Sequence, residues 1–281
     1  MWATRPATME DVPGLRELCT LSVGADDYAL GFLEPFIRES VTFVAVDGGR
    51  IVGMMVYDDT PDGAVWLHAA RTHPEHRRQG VAASLNRACE ELARARGRSC
   101  LRLWAAASNT ASVAASARYG FEERARFTRM RISAAPPVQE VHLEPLDPAE
   151  AWIATEGSPL LRRTAGYVFH DFYFLPLSQV NTALLARQGA LWRFGGNGVA
   201  LSEDFEEAGG RDLQVQLLFG DAAEILRTAP AIGRARGAER VESFLPHDTA
   251  ILASARRAGY DFMEWGQEAV LFEKPIPATS E

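Results

Sequence analysis

His73-Pro74-Glu75-His76-Arg77-Arg78-Gln79-Gly80-Val81-Ala82 is the stretch on which the fold turns. It follows residues 64–71, a run of strand-forming composition. It opens onto Val81 to Arg96, where Val81, Leu85, Ala88, Cys89, Leu92 and Ala93 recur at helical spacing until Gly97 ends the pattern. A glycine between two arginines and a helix start has the physics of an anion site. The first N–H groups of a helix lack intrahelical partners, and the helix dipole favours negative charge there. Gly80 has no Cβ to hold a phosphate away from the backbone, Ala82 keeps the surface small, and Arg77 and Arg78 add positive charge.

Outward from this loop the same grammar continues. Thr42 to Val46 and Arg50 to Tyr57 are β-rich runs joined by Asp47-Gly48-Gly49, a hairpin signal. Downstream, Cys100 to Ala105 reads as a strand, Thr110 to Arg118 as a helix closed by Gly120, and Arg126 to Ile132 as a strand. The order predicts an α/β fold of the α+β kind, a mixed sheet with flanking helices.

The second half repeats the outline. Leu191 to Phe194, Gly198 to Leu201 and Leu213 to Phe219 read as strands, and Ala222 to Arg236 as a helix with a candidate break at Pro230. Val241 to Leu245 is a strand, Thr249 to Arg257 a helix and Glu268 to Glu273 a strand. Arg94-Ala95-Arg96-Gly97 recurs as Arg234-Ala235-Arg236-Gly237, and Arg118-Tyr119-Gly120-Phe121 as Arg257-Ala258-Gly259-Tyr260. The near-constant offset points to two modules in tandem. Ser133 to Glu140, with Pro136 and Pro137, is the linker, so the expected modules are residues 1–134 and 141–281.

Charge divides unevenly. The first 140 residues carry seventeen arginines and seventeen acidic residues, while the remainder carry twelve cationic and twenty acidic ones, so the net −8 sits in the second half. Neither half has the basic excess a nucleic-acid partner needs. No apolar run approaches the ~20 residues that span a bilayer, and the start lacks a signal-peptide core, so a cytoplasmic protein without a membrane partner is expected. Cys19, Cys89 and Cys100 lack metal-ligand spacing and read as buried or free thiols. No metal is expected. The chain is expected as a monomer with an internal pseudo-dimer, or as a homodimer.

The first half resembles the GNAT superfamily of N-acetyltransferases, in its tandem form. The loop fits the family's Arg/Gln-x-x-Gly-x-Gly/Ala pattern, with the Pro-Glu pair before it. Arg5-Pro6-Ala7-Thr8 with Asp11 fits the first strand and helix start, and Asn109 with the helix ending Tyr119-Gly120-Phe121 fits the second block. The resemblance implies acetyl-CoA as co-substrate. Arg77, Arg78, Gln79, Gly80, Val81, Ala82 and Ala83 would hold its pyrophosphate. The backbone of Ala70, Arg71 and Thr72 would pair with the pantetheine, and Asn109 would touch the pantetheine or diphosphate arm.

It also implies direct attack of an amine on the thioester, with no metal and no covalent intermediate. The backbone N–H of Ala70 would polarise the thioester oxygen. His68, on the strand before the loop, is the candidate base, or else an inward-facing histidine bonded to a neighbouring carbonyl. The family's acid is a tyrosine seven residues after the asparagine; here that position is Ser116. Either another group protonates the thiolate, or it leaves unassisted. Asp26, Asp27 and Tyr28 fall where the family lines its acceptor site, or are simply solvated. In the second half the counterpart of the loop is Gly220-Asp221-Ala222-Ala223-Glu224, whose carboxylates would fill the anion site, so this module is expected to be a degenerate one. The function implied is acetylation of a small-molecule amine. The alternatives are a non-catalytic acyl-CoA binder and acetylation of a peptide N-terminus.

Overall fold

The computed structural model of the chain describes residues 2–135, 141–203, 211–264 and 266–277. Residues 136–140 of the linker and 204–210 lie outside them. The elements are β1 (Ala3–Pro6), α1 (Val12–Ser22), α2 (Leu33–Arg38), β2 (Val41–Asp47), β3 (Arg50–Asp59), β4 (Val65–Thr72), α3 (Val81–Ala95), β5 (Cys100–Ala106), α4 (Thr110–Arg118) and β6 (Glu122–Ser133). After these come β7 (Glu144–Pro145), α5 (Pro148–Thr155), α6 (Pro159–Arg162), β8 (Tyr167–His170), β9 (Tyr173–Pro176), α7 (Gln179–Arg187), β10 (Leu191–Phe194) and β11 (Asn197–Glu203). The last are β12 (Asp212–Phe219), α8 (Ala222–Ala235), β13 (Arg240–Pro246), α9 (Thr249–Arg257), β14 (Asp261–Phe262) and β15 (Glu268–Pro275).

By contacts the chain divides into two compact units: Met1–Leu103, Ser116–Glu122 and Glu273–Glu281 form the first, Trp104–Ala115 and Glu123–Phe272 the second. The dividing points fall inside β5, α4, β6 and β15. A compact unit is therefore a different thing from the contiguous stretches 1–134 and 141–281.

In the first unit β1, β2, β3 and β4 pair antiparallel in that order, and β4 pairs β5 in parallel at Val65↔Leu101 and Trp66↔Arg102. The hairpin between β2 and β3 turns through Gly48 and Gly49, both at positive φ, the conformation that a two-residue primed turn requires. Alternation along the strands sends side chains to two faces. On one, Val44, Met54, Val56 and Ala69 meet Leu15, Leu18, Cys19 and Leu33 of α1 and α2. On the other lies α3, packed so closely that a Cβ on Gly53 would come within 2.4 Å of Val81 Cγ1.

The second unit pairs β6 with β13 antiparallel, β13 with β12 in parallel, and β12, β11, β10 and β7 antiparallel in turn. Ile225, Leu226, Ala229 and Ile232 of α8 pack with Val199, Val215 and Val241. Helix α8 runs unbroken through Pro230, which corrects the break expected there. Proline removes only its own N–H, and the buried face of α8 holds the helix across the defect. The aromatic stretch 167–174 forms the β8–β9 hairpin, with Tyr167, Val168, Phe169 and Phe174 in the core. The sequence β3–β4–α3–β5 thus recurs as β11–β12–α8–β13: an antiparallel pair, a helical crossover, then a parallel neighbour.

Candidate functional site

Helix α3 begins at Gly80, which takes φ 86° in the left-handed region and caps the helix without a side chain. Two residues earlier Arg78 also has positive φ, at 60°. Residues alternating in this way turn successive N–H groups toward one concavity, a nest for an anion. Nothing lies within 4 Å of a Cβ built on Gly80, so its positive φ, and not crowding by the protein, calls for glycine, and the space in front of it is open. The loop is tied down at its edges. Arg77 donates to the Ser22 carbonyl at 3.0 Å, Gln79 Nε2 to the Glu75 carbonyl at 2.7 Å, and the Trp2 indole to the Gln79 carbonyl at 2.9 Å. Just before the loop, buried His73 accepts the Glu75 N–H at Nδ1.

Arg77, Arg78, Gln79 and Gly80 are exposed, as a ligand loop should be. Val81 is buried at 1 % exposure and has its side chain against the Gly53 gap, so only its backbone faces a ligand. Ala82 and Ala83 are half-buried.

Strand β4 contributes a feature that sequence reasoning missed. Its register with β3 slips between Met54↔Arg71 and Val56↔His68, so Ala69 and Ala70 stand opposite Met55 alone. This is a β-bulge, and Ala69 carries φ 48°, a strained value for a residue with a Cβ. The bulge turns exposed Ala70 out of the ladder at the position expected to polarise a carbonyl. Two consecutive alanines gave no signal of it. Beyond Trp66, pairing of β4 with β5 is not recorded among the described residues, which leaves Ala70, Arg71 and Thr72 on a strand edge able to receive an extended ligand.

His68 is held inward. Its Nε2 lies 2.6 Å from Asp58 Oδ2, its side chain is 9 % exposed, and its Nδ1 is buried. A carboxylate only accepts, so the Nε2 in this bond carries the proton. The ring of Phe36 meets it edge-on at 5.0 Å. His68 is thus paired with the Asp58 carboxylate. Burial works to raise the Asp58 carboxyl, but the bond and charge of His68, with the Ser40 side chain, outweigh it and hold its pKa below the usual value. Asp58 lies just past the run Arg50 to Tyr57 and was not among the site candidates; its spacing two residues past Val56, which pairs with His68, was the available signal.

Asp27 is placed differently from the acceptor role. Its side chain is fully buried, caps the turn at Tyr28–Gly31 through the Ala29 N–H, and takes two hydrogen bonds from Arg71 at 2.6 and 2.7 Å. With its charge matched, it holds Tyr28, over whose ring the Arg71 guanidinium also sits at 5.4 Å. The physical reason is that a buried carboxylate must be paired. Asp26 remains exposed. Ser116 is buried at 4 % exposure in α4. In the second unit Asn109 caps α4, its Oδ1 accepting the Ser112 N–H at 3.1 Å. There too the α8 N-terminus is occupied: Asp221 accepts the N–H groups of Ala223 and Glu224 at 2.8 and 3.3 Å. Among the described residues, no group of histidine, cysteine or carboxylates has metal-site geometry, and no helix is long and apolar enough to cross a membrane.

Residues 15–121 match the family model described as acetyltransferase (GNAT) family. No curated protein matches the chain in sequence. Among solved structures, a proposed acetyltransferase from Thermoplasma acidophilum is 16 % identical over 97 % of this chain and 99 % of its own, with TM-score 0.64. A GCN5-related N-acetyltransferase from Sphaerobacter thermophilus is 17 % identical over 100 % and 98 %, with TM-score 0.61. A tandem GNAT protein from the clavulanic acid biosynthesis pathway is 15 % identical over the whole of both chains, with TM-score 0.56. At these identities the likeness is one of fold, and it extends over both halves of the chain.

Proposed function

We propose that the protein, whose residues 15–121 match the acetyltransferase (GNAT) family model, transfers the acetyl group of acetyl-CoA to the nitrogen of a small-molecule amine. The observation that carries this reading is the uncapped α3 N-terminus behind Arg78 and Gly80, both at positive φ. Those residues fit a pyrophosphate: N–H groups without side-chain caps, an approach clear of any Cβ, and two exposed arginines beside it. Arg77, Arg78, Gln79 and Gly80, with the backbone of Val81, Ala82 and Ala83, would hold the pyrophosphate, and the edge of β4 at Ala70, Arg71 and Thr72 the pantetheine. When bound, acetyl-CoA supplies an acetyl group activated as a thioester.

In the transfer a C–N bond forms and a C–S bond breaks. The thiol leaves with one proton, and the ammonium gives another to the medium. The chain's part is to position and to move protons. The Ala70 N–H polarises the carbonyl at the bulge, and the ammonium, held beside the His68–Asp58 pair, gives up its proton to water. With Ser116 buried, the thiolate takes its proton from another group or leaves unassisted.

Calorimetry with CoA tests binding, and thiol release with a panel of amines tests turnover. One CoA site per chain is expected, because Asp221 already satisfies the corresponding N–H groups of α8; two sites would refute this. A second reading, a non-catalytic acyl-CoA binder, is favoured by buried Ser116 in the place of the family's tyrosine. Binding without thiol release across the panel would establish it.

A further inference from the structure

The two carboxylates that end β3 point to opposite faces of the sheet and meet different fates. Asp59 is neutralised by Arg96 and Arg98, both at 2.8 Å. Asp58, on the face of α1 and α2, has as its ion partner a histidine instead of a guanidinium. Other carboxylates on this side of the sheet are paired, while Asp26 of the α1–α2 connection is exposed. Asp27 is locked to Arg71, Asp11 is bonded twice by Arg5, and Glu17 and Glu34 pair with Arg50 and Arg38. Asp58 keeps 34 % of its side chain accessible while its pKa lies below the ordinary value, so it presents an anion to solvent.

Its position is equally specific. Val56 pairs opposite His68, and Asp58 follows two residues on, so both side chains share one face. His68 immediately precedes the bulge at Ala69 and Ala70. Phe36 of α2 stands edge-on to the imidazole, which fixes the ring and through it the carboxylate.

We infer that Asp58 receives the ammonium group of the acceptor, which is therefore a cationic primary amine, and that His68 is a positioning residue that fixes the carboxylate. This rests on the acetyltransferase reading and deepens it. β3 supplies an acidic residue for the acceptor; of the two carboxylates of the α1–α2 connection, Asp27 is neutralised by Arg71 and Asp26 is exposed. A carboxylate has acceptor sites for more than one donor, so an ammonium binds without displacing His68. The pair then sits with one member on the ligand and the other in the core.

The test uses the full chain loaded with CoA. It is titrated with 2-phenylethylamine, spermidine and glucosamine while the His68 Nε2 resonance is followed by NMR. At least one amine is expected to shift that resonance, and its fully N-acetylated, uncharged form is expected not to. No shift with any of the three overturns the inference. In parallel, Asp58→Asn is expected to raise KM for the responsive amine roughly tenfold or more, with a smaller change in kcat and unchanged CoA affinity. Asp58→Glu is expected to recover part of the loss. An unchanged KM in Asp58→Asn overturns the inference while leaving the acetyltransferase reading intact. Failure of the wild-type chain to bind CoA or to release thiol with any amine overturns that reading itself.

Discussion

Gly53 of β3 faces Val81 of α3 across a gap with no room for a methyl group: a Cβ on Gly53 would lie 2.4 Å from Val81 Cγ1, 3.1 Å from Leu85 Cδ1 and 3.3 Å from the Arg71 carbonyl oxygen. Glycine inside a strand marks such a close approach. The first turn of α3 is the turn that carries the anion loop, so this contact sets where the loop stands. Gly53→Ala is expected to cost about 1–3 kcal/mol by overpacking and to weaken CoA binding by displacing that turn. Adding Val81→Ala is expected to recover CoA affinity. Denaturant midpoints and calorimetry on the two variants check this; unchanged CoA affinity in Gly53→Ala would separate the contact from the site.

The buried pair Asp27–Arg71 is a structural tie, and its chemistry predicts an asymmetry. Asp27→Ala leaves a guanidinium at 13 % exposure without its partner and is expected to cost about 3–5 kcal/mol. Adding Arg71→Leu should restore much of that loss, because the pair's attraction largely offsets its own desolvation. Urea denaturation of both variants measures it, and a double variant no more stable than Asp27→Ala would contradict the account.

His170 provides a pH dependence in the second unit. Burial depresses its pKa, with Asp171 acting in the opposite direction, and its Nδ1 is buried with no hydrogen-bond partner among the described residues. Between the depressed folded value and the unfolded value near pH 6.5, the unfolded chain binds a proton that the folded chain does not. Stability therefore rises with pH through that window and falls on acidification below about pH 6.5. His170→Gln is expected to flatten this slope in denaturation midpoints taken from pH 7 downward.

The three cysteines are buried, and burial pushes the thiols upward, Cys19 to about 12 and Cys100 to about 11, with Cys89 higher still. The thiolate is the reactive form. An aromatic disulfide reagent at pH 8 is expected to label none of them in the folded chain and all three in guanidinium. Rapid labelling of one thiol in the folded chain would show that its unit opens locally.

The legible part of this protein was the part written in periodicity. Arg50–Asp59, Val81–Ala95, Thr110–Arg118 and Thr249–Arg257 follow from alternation, helical spacing and the glycines that end them. The loop at Gly80 was legible because its chemistry is local. The bulge at Ala69 was not, since it arises from register between two strands and alanine carries no mark of positive φ. Asp27 misled for the reason that sequence shows a charge without its partner: Arg71 stands 44 residues away. Asp58 was passed over because two adjacent carboxylates look alike until the pleat sends them to opposite faces.

The last strand has a consequence for how this chain is made. Glu273 binds the buried Arg102 guanidinium at 2.7 Å beside Asp62, Lys274 pairs with Glu90, and the Ile276 N–H closes onto the Ser99 carbonyl. These are all groups of the first unit, yet synthesis delivers them some 170 residues after Arg102. A ribosome making this protein therefore releases the loop, the bulge and the Asp58–His68 pair long before the strand that completes their unit. Arg102 waits through that interval without the Glu273 carboxylate, so the anion-binding half matures only after β15 has been made.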